Sequence, residues 1–338
     1  MRILKFAYLL TGIVLLGAIL WHADLPEAWH RVRQIGWGLP LVLAIYFVAF
    51  VADAAAWQLT LPSIPLDARG LYRLWKVRMV GEAFNGITPF ANLGGEPVKA
   101  ALLNKHYKIG YREIIASLVL SRTTYMIALV VFLAVGFALT LTDDAFPSSY
   151  RLITGLSLAV FAAGILGLFL VQRLKVSSLT GGWLATGRFG GRIDRILHHV
   201  RDIDDRFVAF YTGHRARFAG AIALAFVNWA LGAVELYYAT RLLGHPIGFA
   251  EAWTIEAIAQ LVRAGTFLIP ANIGAQEGAF VLLLGTISGS SGLGLAVAAI
   301  RRVRELLWIL GGLALGMGYS LRTARLAAMA GAESETRD

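Results

Sequence analysis

The sequence contains no cysteine and little charge. Without cysteine the chain can form no disulfide, no thiolate metal site and no thiol nucleophile. Only 15% of its 338 residues are charged and 57% are hydrophobic, whereas a soluble domain ordinarily carries about 25% charge. Among the histidines, His198 and His199 are adjacent, and adjacent helical residues do not share a face. We therefore expect no soluble fold, no metal site and no cofactor.

Long apolar stretches take the place of the missing charge. A membrane-spanning helix needs about 20 apolar residues, and six stretches qualify: 3–21, 37–61, 116–141, 151–171, 218–240 and 295–320. Two further stretches, 72–107 and 252–288, are apolar but contain proline and glycine near their centres. Such breaks occur at membrane depth only where protein or a wet cavity satisfies the backbone. The sequence predicts an all-α polytopic membrane protein with six full spans and two broken re-entrant helical hairpins.

The positive charge lies mainly between the apolar stretches. The formal net charge is +10, and nine lysines and arginines fall in residues 172–217. Such charge indicates orientation and contact with anionic headgroups rather than with nucleic acid. With both termini in the cytoplasm, 172–217 and the segment from Asp67 to Arg78 lie inside and the acidic loop 142–147 lies outside. Only residues 22–36 fit this scheme poorly. We predict a multi-pass protein of a bacterial inner membrane.

The two broken stretches resemble each other. Residues 89–96 and 270–277 both begin with proline and end with a glutamate seven positions later, and both contain Ala-Asn, an aliphatic residue and glycine. An arginine follows the glutamate after 26 residues in one stretch and after 25 in the other, at Arg122 and Arg302. Several matches at one offset indicate an internal duplication.

The predicted topology gives the two copies opposite orientations within a single integral membrane domain, 1–338. The parts are repeat A at 37–141, a linker span with a basic cytoplasmic segment at 142–217, repeat B at 218–321 and a polar cytoplasmic tail at 322–338. Inverted repeats with broken helices are the architecture of many secondary transporters. A duplication that serves folding alone is the alternative, and residues 193–210 are interpreted either as a helix on anionic lipid or as a linker helix on the bundle.

Charged residues inside the predicted membrane segments form the candidate site. Each costs roughly 2.5–3.5 kcal/mol on insertion scales, so it must pair, face water or contact a polar ligand. The N-terminus of a helix that follows glycine can bind a phosphate. Glu96 and Glu277 lie in the first turns of the two such helices. They either pair with Arg122 and Arg302 or line a headgroup path. The predicted lipid-headgroup path consists of Glu96, Lys99, Arg122, Glu277, Arg302, Asn92 and Asn272. Glu82 and Arg263 have opposite charge at matching positions and are the predicted gating pair.

The residues Gly94 through Lys99 and Pro270 through Gly278 resemble the two signature regions of the flippase-like family, also called the lysylphosphatidylglycerol synthase transmembrane region. The resemblance covers nearly the whole chain. In the multiple peptide resistance factor such a module is joined to more spans and to a soluble aminoacyl-transferase domain. The resemblance here implies the flippase-like part and not the synthase. The run from Arg301 to Trp308 is most similar to a hopanoid-associated subgroup.

Together these patterns favour a lipid transporter or flippase-like protein that moves glyco-, phospho- or hopanoid lipid between or out of membrane leaflets. The alternative is a non-transporting scaffold that presents lipid to a biosynthetic enzyme, so the expected partners are a membrane lipid and enzymes of lipid biosynthesis. An enzyme is disfavoured, because the sequence has no convincing Ser-His pair or acidic metal cluster. It also lacks an ATP-binding motif of the Gly-x-x-x-x-Gly-Lys-Ser/Thr type.

Overall fold

The fold is built from helices. A computed structural model describes residues 35–87, 94–142, 212–266 and 274–335, together with isolated positions near 30–33, within 152–167 and at 210 and 269. Every regular element in these ranges is helical, which confirms the all-α prediction. A short 3₁₀ turn, Gly36–Gly38, leads into the first long helix.

Eight α-helices follow this turn within the described ranges. They are α1 (Leu39–Thr60), α2 (Ala68–Ile87), α3 (Gly95–Tyr107), α4 (Tyr111–Thr142), α5 (Arg215–Leu242), α6 (Phe249–Gly265), α7 (Ala275–Ser288) and α8 (Ser291–Glu335). Glycine lies at several of the helix ends. Gly274 and Gly289, with φ of 83° and 70°, flank α7 in backbone conformations that favour glycine.

Three of these helices are long and apolar enough to cross a membrane: Gly36–Thr60, Tyr111–Leu141 and Arg215–Leu242. They correspond to the predicted spans 37–61, 116–141 and 218–240. The predicted span 295–320 lies within α8, which carries four charged residues between 301 and 305 and continues as helix into the predicted tail at 322–338. The predicted span 3–21 and most of the basic segment lie outside the described residues, and only isolated helical positions of the predicted span 151–171 are described.

The two broken stretches each contain two helices, α2 with α3 and α6 with α7. In the first pair the glycines permit close contact, because a Cβ on Gly95 would overlap the backbone carbonyl of Gly81. The Gly95 amide donates to Asn85 Oδ1 at 2.7 Å. Pro97 lies in the first turn of α3, where its missing N–H costs no helical hydrogen bond. The first predicted hairpin therefore has a tightly packed start to its second helix.

Helices of the first half pack against helices of the second half. Helix α1 packs along α5, α2 packs on α8 and α6 packs on α4. Small residues allow these crossings, since a Cβ on Gly312 of α8 would meet the backbone carbonyl of Met79, and one on Gly136 of α4 would lie 2.6 Å from the Cβ of Ala257. Packing of small residues is the usual basis of helix association in membranes, where burial in lipid adds no hydrophobic driving force.

Candidate functional site

Six charged side chains from α1, α2, α3 and α4 form a continuous set of ion pairs, which we call the open network. Its members are Asp53, Arg78, Glu82, Glu96, Lys99 and Arg122. Lys99 Nζ is the centre, because it lies 3.1 Å from Glu82 Oε1 and 3.1 Å from Glu96 Oε1. Arg78 pairs with Asp53 at one end. At the other end Arg122 Nη2 lies 3.4 Å from Glu96 Oε1.

Local helix geometry explains this arrangement. Glu96 and Lys99 are three residues apart on α3, and Arg78 and Glu82 are four apart on α2, so each pair shares one helix face. The stem of Lys99 lies against Gly81, where a larger residue would displace it. As a result the Lys99 side chain is only 3% exposed and its ammonium is held between two carboxylates.

The open network borders a polar cleft with about 320 Å³ of empty space, part of it open to the surroundings. The cleft is lined by Asp53, Trp57, Arg78, Glu96, Lys99, Leu118, Ser121, Arg122 and Tyr125. Arg122 is the most accessible member of the network, with 41% of its side chain exposed, whereas Glu96 is 20% exposed. Charged groups that are partly exposed beside a cavity can exchange their partners for a polar ligand.

The second half contains a cluster of different character, which we call the closed network. It consists of Glu235 on α5, Glu256 on α6, and Arg301 and Arg304 on α8. Arg301 donates two hydrogen bonds, of 2.6 and 3.2 Å, to the Glu256 carboxylate. Arg301 Nε also lies 3.6 Å from Glu235 Oε1. Arg304 also pairs with Glu235. Every side chain in this cluster is at most 7% exposed.

Two aromatic rings complete the closed network. The Arg301 guanidinium lies 4.7 Å from the centre of the Phe280 ring, and that of Arg304 lies 3.8 Å from the centre of the Tyr46 ring. Cation–π contacts of this kind strengthen when they are shielded from water. Because Tyr46 belongs to α1, the second contact also joins the two halves.

The start of α7 carries a third ionic group. Gly274 N–H donates to Glu277 Oε2 at 2.9 Å, so the carboxylate occupies the position that a bound anion would take at a helix start. Glu277 Oε1 accepts from Arg302 Nε at 2.5 Å, and Arg302 Nη1 lies 2.7 Å from Glu305 Oε2. The pairing of the first-turn glutamates with Arg122 and Arg302, one of the two interpretations from sequence, is thus present in both halves.

The structure brings the predicted path residues together in two groups. One contains Glu96, Lys99 and Arg122, and the other contains Glu277 and Arg302. A single path through both groups stays a prediction. Asn92 and Asn272 lie outside the described residues.

The predicted gating residues lie on the first helices of the two hairpins. Glu82 on α2 contacts Lys99 and also accepts from Asn85 Nδ2 at 3.3 Å. Arg263 lies near the end of α6. The approach of Glu82 to Arg263 stays a prediction.

Two features of the site were not predicted from the sequence. Arg78, assigned from the charge pattern to a cytoplasmic flank, is instead 14% exposed and paired with Asp53 across two helices. Its spacing of four residues from Glu82 was the available signal, since both share one face of α2. The contact of Glu256 with Arg301 joins residues 45 positions apart, and helical spacing carries no information at that distance.

The carboxylates of the open network, the closed network and the start of α7 are each paired with cations. Within the ranges described above, no group of three or more histidine, aspartate or glutamate side chains is arranged to hold a metal ion. The charged and hydrogen-bonding groups that line the open cleft suit recognition of a polar ligand.

Comparison with known proteins assigns this chain to a family. The family model described as the lysylphosphatidylglycerol synthase TM region matches residues 4–313. A UPF0104 membrane protein of Pyrococcus horikoshii is 22% identical over 288 residues, which cover 81% of this chain and 84% of that protein. A UPF0104 membrane protein of Methanothermobacter thermautotrophicus is 22% identical over 311 residues, covering 87% and 89%. No solved structure matches the chain.

Proposed function

The chain belongs to the lysylphosphatidylglycerol synthase TM region family, and on that basis we propose that it is a lipid transporter or flippase-like protein. In this proposal it moves a lipid between or out of the leaflets of a bacterial inner membrane and catalyses no covalent change. One observation carries the proposal: a polar, charged cleft lies among helices of a membrane protein, and the Arg122 and Glu96 side chains at its edge are 41% and 20% exposed. Its headgroup contacts are Glu96, Lys99 and Arg122.

The cost of charge in a bilayer supports a functional role for the cleft. Scaffolding alone does not require a guanidinium that is 41% exposed at the edge of a polar cavity. Intramembrane ionisable residues that face a cavity mark substrate or ion paths in many membrane proteins. The headgroup of a lipid can cross the apolar region more easily when charged and hydrogen-bonding groups replace its water.

An inverted repeat is part of the proposal. The order of long helix, shorter helix, short glycine-led helix and long helix occurs in α1 to α4 and again in α5 to α8. The exchange of contacts between halves, α2 with α8 and α6 with α4, supports a two-fold relation. Such repeats provide alternating access when one rocks against the other about a central site. The predicted orientation places both termini in the cytoplasm.

Cysteine labelling tests this topology. Single cysteines at Ser148 and Ser290 are expected to react with an impermeant thiol reagent added outside intact cells, and one at Ser177 is expected to stay unlabelled. The native chain contributes no background because it has no cysteine. Shielding of Ser290 together with labelling of Ser148 would contradict the inverted repeat.

A reconstituted assay tests the transport activity. The wild-type protein in proteoliposomes should translocate a fluorescent phospholipid, and Arg122→Gln should slow that movement because an amide cannot offer the charged, two-pronged hydrogen bonds of a guanidinium. Arg302→Gln should also slow it if the path includes the second group. Arg122→Lys should restore part of the rate, since it keeps the charge without the fork.

The controls separate the alternatives. A scaffold that presents lipid to a biosynthetic enzyme predicts no translocation by the wild type, so this measurement comes first. Thermal unfolding of each purified variant identifies loss of rate through misfolding. A stable Arg122→Gln protein that translocates every tested lipid at the wild-type rate would remove this residue from the mechanism.

A further inference from the structure

We infer that the cleft recognises a headgroup of zero net charge that carries one phosphate and one ammonium group, in preference to a purely anionic or a net cationic headgroup. This inference rests on the proposed function, because it names the substrate class of the same cleft. It starts from the charges of the open network, which balance. Asp53, Glu82 and Glu96 oppose Arg78, Lys99 and Arg122, giving three negative and three positive side chains. Glu82 does not line the cleft itself and enters the balance through its contact with Lys99, which does.

The strength of the contacts decides which groups are available to a ligand. Arg78 is held by Asp53, and Lys99 is enclosed between two carboxylates with 3% of its side chain exposed. Arg122 Nη2 and Glu96 Oε1 lie 3.4 Å apart, farther than the 3.1 Å that separates Lys99 Nζ from each of its two carboxylates. Arg122 and Glu96 also line the cleft, and their side chains are 41% and 20% exposed. This contact at the edge of the cleft therefore presents one positive and one negative group, side by side.

A dipolar headgroup can replace that contact without leaving either charge uncompensated. Its phosphate would accept from the Arg122 guanidinium, and its ammonium would donate to the Glu96 carboxylate. Hydrogen bonds in which both partners are ionised are stronger than neutral ones. The headgroup in turn replaces its own water with fixed partners of matching sign.

An anionic headgroup fits the same cleft less well. It can bind Arg122, but it draws that cation away from Glu96 and approaches the carboxylates of Glu96 and Asp53 with like charge. A cationic headgroup has the converse difficulty with Arg122 and Arg78. When Arg122 is drawn away, Glu96 keeps only Lys99, at 3.1 Å, as a cationic contact within the open network, and incomplete compensation of a carboxylate is costly at membrane depth. Charge balance thus produces selectivity as well as affinity.

Binding of short-chain lipids tests the inference independently of transport. The probes are dihexanoyl phosphatidylethanolamine, dihexanoyl phosphatidylglycerol and a dihexanoyl trimethylammonium propane, each titrated onto the purified full chain while thermal unfolding is followed. We expect phosphatidylethanolamine to bind about tenfold more tightly than either other probe, which corresponds to one well-formed charged contact. Equal or tighter binding of the anionic or the cationic probe, or no binding of phosphatidylethanolamine, would overturn the inference.

Translocation of fluorescent long-chain versions of these lipids tests the proposed function separately. If phosphatidylethanolamine binds selectively and no lipid is translocated, the transport proposal fails and the headgroup inference stands. If lipids are translocated and the binding preference is absent, the inference fails and transport stands.

A variant that changes the net charge of the open network provides a second test of the inference. Glu96→Gln changes the network from balanced to one excess positive charge, so the binding preference should shift from phosphatidylethanolamine towards phosphatidylglycerol. Glu113→Gln is the matched control, because Glu113 is a partly buried glutamate on α4 that accepts from the backbone amide of Ser63 at 3.2 Å and does not line the cleft. Its preference should equal that of the wild type. The wild-type ranking decides the inference even if Glu96→Gln does not fold.

Discussion

The open network in the first half and the closed network in the second half are built from the same residue types in different surroundings. Both join arginines to carboxylates across several helices. In the closed network the arginines are bidentate or stacked on aromatic rings, and every member is almost fully buried. In the open network Arg122 makes a long contact at the edge of a cleft.

This difference indicates that ion pairs at membrane depth can serve two purposes. The closed network connects α5, α6 and α8, and its side chains are at most 7% exposed, which suits a role in holding the second half together. The open network keeps compensated charges in contact with a cavity, which suits exchange. We expect substitutions in the closed network to lower stability and those at the edge of the open network to alter function.

The largest effect should come from Glu256→Gln. The change leaves Arg301 without its two-pronged partner at a site where its side chain is 5% exposed. Breaking a buried pair on one side typically costs about 3–5 kcal/mol. The unfolding free energy in mixed micelles measures this loss. A decrease of less than about 1 kcal/mol, the value for a surface ion pair, would break the distinction between the networks.

A smaller effect should separate the two equivalent arginines. Arg302→Gln removes a 2.5 Å contact to Glu277 and a 2.7 Å contact to Glu305, for which we expect a loss of about 1.5–3 kcal/mol. Arg122→Gln removes the 3.4 Å contact to Glu96 from a side chain that is 41% exposed, and we expect a loss of less than about 1 kcal/mol. Thermal unfolding of the two variants should rank them in this order. The reverse ranking would contradict the asymmetry.

The crossings between the halves give a further comparison. Gly312→Ala should destabilise the protein by about 1–3 kcal/mol because the added methyl group meets the Met79 carbonyl across the contact of α8 with α2. Gly318→Ala, six residues further along α8, meets nothing within 4 Å and is the control. Unfolding midpoints measure both. Equal effects would mean that the close crossing does not limit the packing.

The smallest expected effect concerns the predicted gating pair. A double-mutant cycle of Glu82→Gln and Arg263→Gln should give a coupling of about 0.2–1 kcal/mol, the range for a partly exposed ion pair. The physical reason is their opposite charge at matching positions of the two hairpins. Purely additive effects on the unfolding free energy would remove the pair from the proposal.

Much of the fold was predictable because apolar length and helix breakers are local properties. The stretches 37–61, 116–141 and 218–240 became helices α1, α4 and α5, and each broken stretch contains two helices. The pair of Glu96 with Lys99 followed from their spacing of three residues. The pairs with Arg122 and Arg302 followed from the internal match between the halves.

The environment of Arg78 was not predictable in the same way. A run of basic residues leads into α2, and charge counting groups Arg78 with its exposed neighbours. Only the packing of α2 on α1 brings Asp53 to it. The pairs of Arg301 with Glu256 and of Arg304 with Glu235 likewise require α5, α6 and α8 to meet.

By itself the sequence determined that this chain is helical, that it belongs in a membrane and where two of its helical stretches break. These properties depend on hydropathy and backbone chemistry, which act over a few residues. The tertiary structure alone decided which charges are buried together and which border a cleft. The physical reason is that the energy of a charge in a membrane depends on its partners and its access to water, and side chains 25 to 69 positions apart supply those partners.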